Sequence, residues 1–395
     1  MDCKISNINS PLEQAEAIKT DKKRISIGLP LNSDCSERRF PLTPEGVKRL
    51  IEKGYVIKIE NGAATSINYN DNAYLRQGAE LTNHQETLSC DIVINLSMLP
   101  AKDIKQMRRG AMLLTLLYPN KLPIDSIIEM QQRSIVGIAV NHIADERNNL
   151  PFADILSEID GRAAIATASS LLADADMGKG ILLGGIAGIN PCEVIVIGSG
   201  IAAIAASRSA LGLGAIVKIF DDDVYSLRAA LRDLGQGVIG SSLHERVLKT
   251  SLQTADVVVA TTIQSKLTIE KEEVEQMKKG VVTFDLTNNP GKIFPSMPLV
   301  DLANVKIIEK SNDNKRKCYV NSGSAVPRTA AMALSNTFNT MLDSIITCDG
   351  LTNALKLTTG LRRGVFTFLG KITNPQVAKK VGCRFTDINI FLQLS

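Results

Sequence analysis

Short aliphatic, β-branched runs alternate along this chain with longer stretches whose apolar residues recur at helical spacing. Arg24-Ile25-Ser26-Ile27-Gly28-Leu29-Pro30 reads as a strand running into a loop, and Asn32 to Arg39 is polar and ends in Glu37-Arg38-Arg39. Thr43-Pro44-Glu45 then opens a helix with an N-cap and a first-position proline. Further strands are predicted at Tyr55–Glu60, Asp91–Leu96, Met112–Leu117 and Ile135–Val140, with helical stretches between them. This alternation makes residues 23–150 an α/β unit. The alanine-rich run Pro151 to Leu172 reads as one long helix crossing to a second unit.

The second unit is organised around Glu193 to Asp223. Val194 to Ile197 is apolar enough to be a strand buried on both faces. It leads into Gly198-Ser199-Gly200-Ile201-Ala202-Ala203, a G-x-G-x-x-A turn. Gly198 permits the turn, Gly200 lets a pyrophosphate approach the backbone, and Ala203 lets the next helix lie close to the strand. That helix offers unpaired N–H groups and its positive end to phosphates. Ile216 to Phe220 forms the next strand and ends at Asp221, 23 residues beyond Gly198, where an acid accepts from adenosine ribose hydroxyls. Asp221, Asp222 and Asp223 disfavour a 2′-phosphate, so the cofactor expected is NAD rather than NADP.

The alternation continues with a helix over Ser226–Leu234, a strand at Asp256–Ala260, a charged helix at Ile269–Lys279 and a strand at Val281–Leu286. Val300 to Val320 carries the last strands of this unit, and helices over Ser335–Ile346 and Asn353–Leu361 return to the first unit. The resulting division is a polar arm over 1–22, a substrate-binding (catalytic) domain from 23–157 and 326–395, and an NAD-binding domain from 158–325. The fold class is α/β: two Rossmann-like domains with doubly wound parallel sheets and a cleft between them.

Composition narrows the possibilities. A hydrophobic fraction of 44% with 22% charged residues is ordinary for a globular protein, and a net charge of +4 is too small to imply nucleic acid. Seven cysteines are scattered without a C-x-x-C pair, and His84, His142 and His244 lie far apart, which argues for reduced thiols in a cytoplasm and against a metal site. No apolar run is long enough to span a membrane, and residues 1–22 lack the core of a signal peptide.

Several landmarks resemble the alanine dehydrogenases and the soluble nucleotide-binding part of the proton-translocating transhydrogenases. They are E-R-R-F-P-L-T-P at 37–44, S-E-I-D-G-R-A-A at 157–164, G-K-G-I-L-L-G-G-I-A-G at 178–188, N-S-G-S-A-V-P-R-T at 321–329 and G-K-I-T-N-P-Q-V-A at 370–378. The resemblance implies that Arg39 holds a substrate carboxylate, and that Ser157 and Asn321 line the cofactor beside Gly198, Ser199, Gly200, Ile201, Ala203, Asp221, Asp222 and Thr262. It also places the family lysine at Ser97, the family histidine at Tyr118 and the family aspartate at Asn289, and it shortens the loop after Thr262 by about four residues. Three ionisable groups have become neutral, which argues against ordinary alanine dehydrogenase activity. What remains expected is an NAD-dependent oxidoreductase acting on an amino acid, 2-oxo acid or imine, with Tyr118, Ser97 and Asn289 at the altered catalytic positions. The alternative is an inactive NAD-binding paralogue with a regulatory or subunit role. The resemblance further implies a homo-oligomer, a dimer or hexamer, with a small-molecule carboxylate as its substrate.

Overall fold

A computed structural model describes residues 24–118, 121–176, 178–307, 316–347 and 351–393; the arm expected over 1–22 lies outside them. Among the described residues, fifteen strands form two sheets. The first contains β1 (Ser26–Leu29), β2 (Val56–Glu60), β3 (Glu80–Thr82), β4 (Ile92–Ile94), β5 (Met112–Thr115) and β6 (Val136–Ala139). The second contains β7 (Glu193–Ile197), β8 (Ile216–Asp221), β9 (Val238–Ser242), β10 (Val257–Ala260), β11 (Val282–Asp285), β12 (Leu299–Asp301) and β13 (Cys318–Val320). The chain then returns to add β14 (Val365–Phe368) and β15 (Lys371–Ile372) to the first sheet, giving the order β15-β14-β6-β5-β4-β1-β2-β3.

The second sheet has the order β12-β13-β11-β10-β7-β8-β9 and is parallel throughout. In each sheet the first strand in chain order lies inside the sheet and the order reverses across it, between β1 and β4 in one and between β7 and β10 in the other. Open α/β sheets bind ligands at that reversal, outside the carboxyl ends of the strands.

Burial explains why the central strands carry unbroken apolar runs. Val194, Ile195, Val196 and Ile197 of β7 are fully buried, as are Val257, Val258, Val259 and Ala260 of β10. The predicted long helix runs Pro151–Ala173. Its N-terminal part packs in the first core through Phe152 and Leu156, and its C-terminal part packs in the second through Ala164, Ile165, Ala168 and Leu172. The return helix, Pro327–Thr347, begins eight residues before the predicted Ser335 and meets the long helix at Phe152–Phe338, with ring centroids 4.8 Å apart.

Some elements differ from the sequence reading. The charged helix is only Lys271–Gln276, closed at its start by a reciprocal Glu270–Glu273 capping box. The stretch over Asn353–Leu361 is two helices, Leu351–Leu357 and Thr359–Gly364, because Thr358 leaves the helical region. The strands β3, β9, β14 and β15 are absent from the sequence reading; they are short and pair on one side or run antiparallel. Among the described residues no helix is long and apolar enough to cross a membrane.

Candidate active site

The fingerprint turn has the geometry that its residue types require. Gly198 stands at φ +98°, and a Cβ there would lie 2.1 Å from Thr261 Oγ1, so only glycine fits. A Cβ on Gly200 would meet nothing within 4 Å, which leaves open space over the backbone where a pyrophosphate has to lie. Gly200 is also the N-cap of helix Ile201–Gly212, and no side chain caps that end, so its N–H groups remain available to an anion. Ala203 is fully buried against the sheet.

Asp221 closes β8 and is buried. Ser199 Oγ donates to its Oδ2 at 2.5 Å, and its Oδ1 accepts from the Asp223 N–H at 2.8 Å. The three consecutive acids have separate duties. Asp222 accepts from the Ser265 N–H at 2.7 Å and tethers the loop after β10, while Asp223 is the N-cap of helix Val224–Leu234. The Thr262 carbonyl borders Gly198. The open turn and uncapped helix end fit a dinucleotide, and both oxygens of Asp221 are engaged within the protein.

The ends of β1, β4 and β5 face the ends of β11, β12 and β13 across a cavity of about 310 Å³. Arg39, Ser97 and Tyr118 line it from the first sheet, Asp285 to Asn288, Pro290, Asp301 and Asn321 from the second, and Asp160 from the long helix. Ala260 is in register with both Ile197 and Asp285, so two strand spacings, roughly 10 Å, separate the fingerprint strand from the cavity wall.

Arg39 is buried, and its fork is already occupied within its own loop. Nε donates to Glu37 Oε1 at 2.7 Å and Nη2 donates to Oε2. Burial alone would weaken its charge, but the Glu37 carboxylate more than restores it. Tyr118 lies alongside Arg39, and burial pushes its phenol above the ordinary tyrosine range, with Arg39 opposing only in part. The hydroxyl is therefore a proton-bearing donor at neutral pH and not a base. Ser97 Oγ donates to Asp34 Oδ2 at 3.1 Å and accepts from Asn32 Nδ2 at 3.3 Å, so it ties β4 to the polar loop after β1.

Asn321 adopts a left-handed backbone at φ +61° and bridges the halves. Its amide donates to the Ser36 carbonyl at 2.5 Å and to Asp301 Oδ1 at 3.1 Å. The residues of the fingerprint turn, Asp221, Asp222 and Thr262 lie outside the cavity lining, as do Asn289, although Asn288 and Pro290 on either side border it, and Ser157, one helical turn from Asp160. None of the three histidines lines it.

Sequence reasoning passes over Glu37 and Asp160, both of which sit inside quoted motifs. Asp160 Oδ1 accepts from the Gly323 N–H at 2.7 Å. Burial pushes this carboxyl above the ordinary range, opposed by Arg39 and the Gly323 bond and reinforced by Glu37.

Comparison with known proteins agrees with these features. The family profile "Alanine dehydrogenase/PNT, N-terminal domain" matches residues 28–159, and "Alanine dehydrogenase/PNT, C-terminal domain" matches residues 164–375. The chain is 27% identical over 371 residues to an alanine dehydrogenase of Staphylococcus haemolyticus, covering 92% of this chain and 98% of that protein. It is 28% identical over 373 residues to the Bacillus subtilis alanine dehydrogenase, covering 93% and 97%. An L-alanine dehydrogenase structure superposes with a TM-score of 0.77 at 22% identity, covering 91% of this chain and 99% of that one. A transhydrogenase from Sinorhizobium meliloti superposes at 0.69 and 19%, covering 89% and 99%. With the two profiles meeting within the long helix and the second alone covering more than half of the chain, the chain belongs to the alanine dehydrogenase/PNT family.

Proposed function

We propose that this protein is an NAD-dependent oxidoreductase acting at a carbon next to a carboxylate, on an amino acid, a 2-oxo acid or an imine that differs from the alanine–pyruvate pair. The observation that carries this reading is the shared cavity. Arg39 and Tyr118 enter it from one sheet, and it opens at the strand ends of the other, the sheet that holds the fingerprint. Gly198, Gly200, the start of helix Ile201–Gly212 and Asp221 hold the cofactor, which supplies two-electron hydride chemistry when bound. Arg39 orients the substrate carboxylate once that group displaces Glu37 from the guanidinium fork, and Tyr118 donates a hydrogen bond to the reacting oxygen or nitrogen. Ser97 has no charge with which to replace a lysine, so an imine formed beforehand suits the site better than a ketone plus ammonia.

The units 23–157 with 326–395, and 158–325, close on each other about the long helix and Ala325-Val326-Pro327, and the protein works as a homo-oligomer in the cytoplasm. The test is NADH oxidation with a panel of 2-oxo acids with ammonium and cyclic imino acids. Turnover is expected with an imino acid, weak or none with pyruvate plus ammonium, and NADH should bind more tightly than NADPH. Binding of NADH without turnover on any member of the panel would favour the inactive-paralogue reading, which the engaged Arg39–Glu37 pair supports.

A further inference from the structure

An amine or imine reaction at this site needs a group that exchanges a proton near neutral pH, and the residues at the expected positions do not supply one. Tyr118 is held protonated, Ser97 is neutral, and the histidines lie elsewhere. The other carboxylates on the cavity wall are spoken for. Glu37 is paired with Arg39, Asp34 accepts from the Ser36 N–H and the Ser97 hydroxyl, and Asp301 accepts two bonds, both through Oδ1, from the Ala303 N–H and Asn321. Asp285 accepts from Thr287 through both N–H and hydroxyl, and from the Gly291 N–H.

Asp160 differs. It makes one hydrogen bond, from the Gly323 N–H to Oδ1, and among the described residues its Oδ2 has no partner. Its place is fixed by close backbone contact on two sides. A Cβ at Gly161 would stand 2.2 Å from the Ala202 carbonyl in the cofactor-binding helix, and one at Gly323 would stand 2.4 Å from Asp160 Oδ1. The carboxyl is therefore clamped where the long helix passes between the two sheets.

Resting on the oxidoreductase reading above, we propose that Asp160 is the acid–base residue of this cleft, exchanging through its carboxyl the proton gained or lost by the substrate nitrogen. In the oxidative direction Oδ2 takes a proton from the substrate ammonium. The N–H bond breaks, an O–H bond forms, and the freed nitrogen lone pair makes the C=N bond as the C–H bond of the same carbon breaks and its hydride leaves; a bound nicotinamide would supply the acceptor for that hydride. In the reductive direction the carboxylic acid returns the same proton to nitrogen. The charged and titratable groups that share the cavity with it are Asp34, Glu37, Arg39, Tyr118 and Lys121 from the first sheet and Asp285 and Asp301 from the second. Burial and Glu37 both favour its protonated form, so proton loss from Asp160 is displaced toward the working pH.

The experiment compares wild type, Asp160→Asn and Asp160→Glu by steady-state kinetics on the best member of the panel, by NADH titration, and by infrared difference spectroscopy of the carboxyl band with pH. Expected are a kcat lower by about 10²–10⁴-fold in Asp160→Asn, at least tenfold recovery in Asp160→Glu, and NADH affinity within twofold of wild type. One limb of the pH–rate profile should vanish in Asp160→Asn, along with a carboxyl band that titrates above the ordinary aspartate range in wild type. Asp160→Asn turnover within threefold of wild type, or equal losses of NADH affinity and turnover, would overturn the proposal. If wild type turns over nothing in the panel, the oxidoreductase reading has failed, and the infrared titration decides Asp160 alone. A titrating band that NADH shifts supports a proton-holding carboxyl, whereas a carboxyl ionised from pH 5 upward refutes it.

Discussion

The two crevices where strand order reverses have the same topology and opposite chemistry. Beside β7 the chain turns within three residues, through Gly198 and Gly200, into a helix whose free N–H groups face open space. Beside β1 it passes through Pro30 into the polar loop Asn32–Arg39, which fills the crevice with its own charges and hydrogen bonds. Each region also depends on a glycine. A Cβ on Gly28 in β1 would stand 1.9 Å from the Thr87 carbonyl, so that glycine serves helix-to-strand packing, whereas Gly198 serves the turn and its ligand. The same strand reversal therefore gives an open backbone turn or a charged wall, depending on whether the next residues leave backbone bare or cover it.

Replacing the two glycines tests that contrast most severely. Gly198→Ala places a Cβ in a left-handed turn against Thr261 and should abolish measurable NADH binding, with a stability loss of about 1–3 kcal/mol. Gly28→Ala should destabilise comparably or more in chemical denaturation, yet leave the NADH affinity of the folded fraction unchanged. Equal effects on NADH from both would erase the distinction.

The charge pair in the substrate wall should respond next. Arg39→Ala is expected to weaken substrate binding by roughly 2–5 kcal/mol while NADH affinity changes little. Glu37→Gln removes the internal competitor for the guanidinium fork and should tighten carboxylate binding several-fold. Both are read as KM and as displacement in NADH-fluorescence titrations. Weaker carboxylate binding in Glu37→Gln would mean that Glu37 orients Arg39 and does not compete with substrate.

The smallest effect concerns stability. Because burial raises the Asp160 pKa in the folded state, the folded protein binds that proton more tightly than the unfolded chain. The stability contributed is full below the unfolded value, near 3.8, and is lost as pH rises through the folded value. Asp160→Asn, neutral at every pH, should therefore melt above wild type at pH 7, with the gain fading below about pH 4. A lower melting temperature at pH 7 would show that the carboxylate is stabilising as an ion.

Much of this protein is legible in its amino-acid order. The fully buried strands β7 and β10 announce themselves because a strand covered on both faces has to be apolar at every position. Gly198, Gly200 and Asp221 are legible because a strand–turn–helix–strand that binds pyrophosphate and ribose tolerates few residue types at those points. The edge strands β3, β9 and β15 escape because strands at a sheet's margin carry mixed, half-exposed residues or too few residues to show a pattern, whereas β14 is buried throughout and joins the sheet only as an antiparallel return. Ser97 and Tyr118 can be placed at strand ends from local sequence, since both follow apolar runs directly. Glu37 in the fork of Arg39 and Asp160 against Gly323 cannot. The first depends on how the loop over 32–39 folds back on itself. The second joins residues 163 positions apart, which meet only because Gly161 and Gly323 let backbones approach where the long helix passes between the sheets. Local residue types determined the two sheets and the glycine turn, and tertiary packing alone decided which carboxyl is buried on the cavity wall against Gly323, because burial and charge at that point are sums over elements distant in the chain.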